Sequence, residues 1–177
     1  MSNKKKLYGI LLIIIFMLLI SFPVISAYLN DADTAENKLT VGGNRIELIE
    51  DFQPPKELLP GTSFTKDVKV ENVGPNDCYV RIKAVFTDSD MEKYCTVDFN
   101  TTDYVYNSED GFYYYKKILK SGETTPSLFT TVSLSDSITA EEIKDFDILV
   151  YTESYQSGGF TDYVSAWEYY ARNNPNK

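Results

Sequence analysis

From residue 79 to residue 86 the chain reads Tyr-Val-Arg-Ile-Lys-Ala-Val-Phe, and its side chains fall into two sets. Val80, Ile82, Ala84 and Phe86 take one face of an extended chain, while Tyr79, Arg81 and Lys83 take the other. Successive Cβ atoms of a strand point to opposite faces, so this spacing predicts a strand with one face in a core and one in solvent. Neighbouring segments repeat the period. Val68 and Val70 alternate with Asp67, Lys69 and Glu71 within residues 64–73, and Leu39, Val41, Ile46 and Leu48 recur at even spacing around Gly42-Gly43. Residues 95–99, 111–119, 128–134 and 145–155 are further strand segments. Pro54-Pro55, Pro60-Gly61 and the run Asn72-Val73-Gly74-Pro75-Asn76-Asp77 separate them as turns.

Helical signals are short. Residues 137–146 offer Thr139 as a cap with Glu141 and Glu142 in the first turn. Thr161 or Asp162 caps a second helix over residues 163–172, where Val164, Trp167, Tyr170 and Ala171 recur at helical spacing and set Trp167 against the sheet. Many short strands without βαβ alternation predict an all-β antiparallel β-sandwich with one or two short helices.

The N-terminus carries a different signal. Lys4, Lys5 and Lys6 precede an uncharged, largely apolar run to Ile20, then Pro23 and the small residue Ala27. This is the layout of a signal peptide over residues 1–27, cleaved between Ala27 and Tyr28. An uncleaved anchor is the alternative, because the apolar stretch approaches the ~18 to 20 residues that span a bilayer. Cleavage leaves residues 28–177, long enough for a single domain, with residues 28–38 as an N-terminal extended segment. The removed part holds three lysines and no acid, so the formal charge of −9 falls by three more. A chain this acidic repels phosphate backbones and anionic lipid, so neither nucleic acid nor, after processing, membrane is an expected partner.

Two cysteines, Cys78 and Cys95, invite a disulfide in an exported chain. A hairpin of 79–87 with 94–99 around 88–93 would hold them about 25 Å apart at ~3.3 Å per residue. Bonding requires Cα atoms within about 7 Å, so the pair can close only if the second segment crosses to a different neighbour.

The chain contains no histidine, which removes His-based triads and the HExxH zinc helix. No Gly-rich loop has the spacing to cradle phosphate, and Gly42-Gly43 and Gly158-Gly159 read as turns. Asp31 with Asp33, and Asp88-Ser89-Asp90 with Glu92, supply oxygen ligands but lack the twelve-residue calcium loop, so they read as solvated turn carboxylates. No catalytic, cofactor or metal residue is assigned. In Tyr113-Tyr114-Tyr115 the middle ring points opposite to its neighbours, which favours packing over an exposed ladder for sugars or fibre contacts. Asn100-Thr101-Thr102 fits the glycosylation sequon.

Several stretches, taken in order, resemble the TasA/camelysin family of secreted Gram-positive proteins, whose signal peptides are processed by the peptidase SipW. They are Ala27-Tyr28-Leu29-Asn30-Asp31, Leu39-Thr40-Val41-Gly42, Ile46-Glu47-Leu48, Leu59-Pro60-Gly61, Lys66-Asp67-Val68, Glu71-Asn72-Val73-Gly74 and Tyr79-Val80-Arg81-Ile82. Gly111-Phe112-Tyr113-Tyr114-Tyr115 and Phe146-Asp147-Ile148-Leu149-Val150 extend the likeness over most of the chain. The resemblance implies a jelly-roll-like sandwich and, for one branch, extracellular fibres of a biofilm matrix. There the new N-terminus, here Tyr28, Leu29, Asn30 and Asp31, acts as a donor strand on a neighbouring subunit. Its implied partners are further copies or related matrix subunits, and the signal peptidase. The camelysin branch implies a casein-cleaving metallopeptidase, a reading ranked lower because carboxylates without histidine make a poor zinc site. A monomeric surface adhesin or accessory matrix protein is a third alternative.

Overall fold

The computed structural model describes residues 44–174 together with the backbone of Lys38–Thr40. The signal peptide, its cleavage point at Ala27 and Tyr28, and the donor residues Tyr28, Leu29, Asn30 and Asp31 lie outside the described residues.

The strands are β1 (Lys38–Thr40), β2 (Ile46–Gln53), β3 (Ser63–Asn72), β4 (Cys78–Phe86), β5 (Cys95–Val97), β6 (Tyr104–Asn107), β7 (Phe112–Tyr115), β8 (Phe129–Leu134) and β9 (Ile148–Gln156). Among the described residues two helices accompany them, α1 (Ser89–Tyr94) and α2 (Tyr163–Asn173). One sheet has five strands in the order β1-β9-β4-β7-β6, and the other has four in the order β2-β3-β8-β5. Strands adjacent in space are distant in sequence, as β3 with β8 and β4 with β9, which is the winding of a jelly roll. The molecule is therefore the all-β antiparallel sandwich that the alternation predicts, wound in the jelly-roll-like manner that the resemblance implies.

Between the sheets lie Val68 and Val70 of β3, Val80 and Ile82 of β4, Phe129 and Val132 of β8, and Ile148 and Val150 of β9. In β3, β4 and β9 these stand at even spacing, so register follows from the buried face, whereas Phe129 and Val132 of β8 are three apart and the pairing of β8 with β3 carries a register shift. The turn between β3 and β4 is tight because a side chain at Gly74 would place its Cβ 2.9 Å from the Arg45 backbone nitrogen. β2 stops at Gln53, immediately before Pro54-Pro55, since proline has no N–H for the ladder.

Four expectations are corrected. The first concerns 79–87 and 94–99, which form no hairpin. Asp88 caps α1 through its Oδ1, which accepts from the Asp90 and Met91 amides at 2.8 and 3.0 Å, and β5 then pairs with β8 in the other sheet. The Asp88–Asp90–Glu92 cluster is thus a helix cap and first turn rather than a loop. Second, Cys78 and Cys95 are both free thiols on strands of different sheets, so the disulfide is not made. Third, residues 137–146 contain no helix. Thr139 and Glu142 close one turn, Glu142 accepting from the Thr139 amide and hydroxyl, and the segment then runs on to β9 while Ile138 and Ile143 pack around Met91. A two-turn helix without an apolar stripe long enough to bury has too little to offset its nucleation. Fourth, the second face of β4 is not solvated: α2 covers it, and Tyr79 is only 1% exposed.

Candidate functional site

Among the described residues, two places combine exposed groups with unusual geometry. One is the outer edge of β9. β4 pairs with β9 along all nine residues, from Cys78↔Gln156 to Phe86↔Ile148. On the opposite edge β1 runs parallel to it over only Lys38↔Thr152, Leu39↔Glu153 and Thr40↔Ser154. Residues 148–151 therefore have a partner strand on one side only among the described residues, and Leu149 is 41% exposed. An unpaired row of backbone groups is a template for another strand.

The facing sheet is also incomplete at this end. Ile46 begins β2 opposite Asn72, whose amide reaches the carbonyls of Asn76 and Leu119 beside Cys78, the partner of Gln156. β2 thus starts where β9 finishes and runs back toward Ile148. Near its far end Phe52 shares the inner face with Ile46, Leu48 and Glu50, yet is 46% exposed. Its ring meets Phe64 edge-on at 6.0 Å, with the Lys66 ammonium 5.3 Å from its centroid. Lys66 is buried and paired with Glu50 at 3.3 Å.

The second place lies under α2. Arg81 of β4 donates from Nε and Nη2 to Glu153 of β9, at 2.8 and 2.5 Å, and from Nη1 to Asp110 at 3.1 Å and the Tyr114 hydroxyl at 2.9 Å. Tyr114 donates to the same Asp110 carboxylate. The guanidinium stands 4.2 Å from the Phe112 ring centroid and 4.3 Å from that of Trp167. Burial works against its charge, but the hydrogen bonds and charge of Glu153 outweigh burial and hold it firmly protonated. Trp167 Nε1 and the Tyr170 hydroxyl are buried here without a hydrogen-bond partner. Sequence reasoning placed Arg81 in solvent and gave Glu153 and Asp110 no role. The available signal was a Trp on an amphipathic helix with nowhere to bury except over that face.

Tyr113-Tyr114-Tyr115 alternates as expected. Tyr115 enters the main core, Tyr113 packs against it, and Tyr114 turns outward beneath Trp167. Among the described residues no three His, Cys, Asp or Glu side chains are grouped so as to hold a metal ion, and no described helix is long and apolar enough to cross a membrane. Asn100 turns inward on its own loop, its side-chain oxygen accepting from the Thr102 and Asp103 amides.

Fold and site together define a class: a largely antiparallel β-sandwich with a helix sealing one outer face and, among the described residues, open strand edges. No protein-family model matches the chain, and no curated protein matches it.

Proposed function

We propose that this protein is a secreted structural subunit of an extracellular matrix, assembled by strand addition through the chain that begins at Tyr28. The observation that carries this reading is the half-covered edge of β9. A three-residue strand, β1, pairs with Thr152 to Ser154, and among the described residues the adjoining positions 148–151 have no second partner strand. In strand addition the backbone hydrogen bonds supply affinity and alternate side chains fill pockets, which needs no catalytic residue. The acidic, exported character read from the sequence, and the resemblance to matrix proteins with processed N-termini, agree with it.

The test compares the chain starting at Tyr28 with one carrying a folded N-terminal extension, using sedimentation velocity and electron microscopy. Polymers from the first and monomers from the second are expected. A Leu149→Lys variant of the chain starting at Tyr28 should assemble poorly while keeping its circular dichroism. Equal assembly of all three, or of none, would overturn the reading.

A further inference from the structure

The C-terminal helix and the β6–β7 hairpin are separated in sequence, yet one side chain holds both. Arg81 lies against Trp167 of α2 and bonds Asp110, in the turn of the hairpin, and Tyr114 on β7. Lys83 adds a bond to the Asp110 carbonyl at 2.8 Å. Tyr104 and Tyr115 anchor the base of the hairpin in the main core and Tyr113 stacks on Phe99, so what Arg81 adds is a hold on its turn and outer face. Its strands are four residues each, and β7 pairs with β4 only at Arg81↔Tyr114 and Ile82↔Tyr113. A two-stranded hairpin is marginal without packing support.

We infer that Arg81 is the positioning residue through which α2 clamps the β6–β7 hairpin to the sheet, so that undocking the helix loosens the hairpin. The physical reason is the dielectric. With Trp167 and Tyr170 overhead, the Arg81 bonds to Asp110 and Glu153 are shielded from water, and such pairs weaken steeply once solvated. Lifting α2 wets the guanidinium, and the Asp110 anchor of the hairpin weakens with it. β6 forms the outer edge of this sheet, with Val105 38% and Tyr106 53% exposed. The clamp therefore decides whether that edge stays fixed, and the coupling runs equally in both directions.

Amide hydrogen exchange on the full chain tests the clamp. Asp162 caps α2 by accepting from the Ser165 amide at 2.8 Å and makes no bond to Arg81 or Asp110, although its neighbour Tyr163 lies 6.2 Å from the Tyr114 ring. Asp162→Ala should speed exchange in α2 about fivefold, the usual scale for a lost cap. The ladder amides of β6 and β7 should accelerate with it, while those of β2 and β3 stay unchanged. Arg81→Lys keeps the charge but loses the planar fork that spans Glu153 and Asp110. It should release the hairpin by itself, and adding Asp162→Ala should then change the hairpin no further. Asp110→Asn, in the half-buried turn, provides the same cycle should Arg81→Lys fail to fold. Faster exchange in α2 with an unaltered hairpin, or additive effects in the cycle, would overturn the clamp.

Discussion

Asp98 shows how a single side chain can close a sheet after its strand has ended. One step beyond β5, its carboxylate accepts from the Thr130 and Thr131 amides, each at 2.8 Å, and from the Thr130 hydroxyl at 2.6 Å. Burial alone would raise its pKa, but these bonds favour the charged form more and leave it below the ordinary carboxylate value. A depressed folded-state pKa contributes stability that is complete above the unfolded value, near 4, and is lost as pH falls through the folded one. Asp98→Asn should therefore flatten the loss of stability between about pH 4 and pH 2, read from urea midpoints at each pH; an unchanged slope would assign the bonds no net weight. The cysteines allow a second check. Burial pushes the Cys78 thiol up to about 12 and the Cys95 thiol up to about 11. Since the thiolate is the reactive form, neither should react with a disulfide reagent at pH 8 before unfolding, and Cys95, the less buried, should react sooner. Two thiols released on denaturation without reductant would agree with the free state, and none would contradict it.

At the scale of elements, the two helices owe their existence to different partners. α1 is six residues long, below the length at which helices persist alone, and is held by the Asp88 cap and by Met91, which is 1% exposed. Met91 packs with Leu134 and Ile138 at the end of the sandwich. Met91→Ala should cost about 3 kcal/mol through lost transfer and a residual cavity, measured by chemical denaturation. A cost under about 1 kcal/mol would mean that the end of the sandwich collapses to fill the space. α2 has a capping box between Asp162 and Ser165 and buries Ala166, Trp167 and Tyr170 on the outer face of the sheet. Tyr79, Tyr114 and Tyr155 complete that aromatic layer, with Trp167 edge-on to Tyr114 at 5.8 Å. One sheet thus has both faces packed, whereas the other keeps Glu47, Asp51 and Gln53 of β2 exposed on its outer face.

For the whole molecule, that asymmetry limits how copies can meet. Stacking through the face covered by α2 is blocked, which leaves the strand edges and the polar face of the second sheet. The chain carries a formal charge of −9, and removal of residues 1–27 with their three lysines, as the proposed processing requires, would lower it by three. Copies of one sign repel within a screening length of about 10 Å at 0.1 M salt. Assembly of the chain beginning at Tyr28 should therefore quicken as salt rises from about 20 to about 200 mM, followed by light scattering. Slower assembly with salt would point instead to attraction between opposite charges at the contact.

The period-two runs of β3 and β4 marked, without any help from the fold, which of their residues face inward. Val68 and Val80 are buried because alternation in an extended chain leaves an apolar row no other destination. Asp162 and the spacing of Trp167 and Tyr170 specified α2 in the same local way. Sequence alone could not say which strands become neighbours, since partners such as β3 with β8 or β4 with β9 are chosen by long-range burial. For that reason β5 left its expected hairpin, the cysteines went to different sheets, and residues 137–146 gave up a helix to pack around Met91. The candidate site was legible only as a segment beginning at Tyr28. The proposed acceptor, the part of the β9 edge that has one partner strand among the described residues, and the box of rings around Arg81 both depend on which strands and helix become neighbours. A polar residue in an alternating strand reads as solvent-facing until another element is laid over it, and only the tertiary structure decides where that element lands.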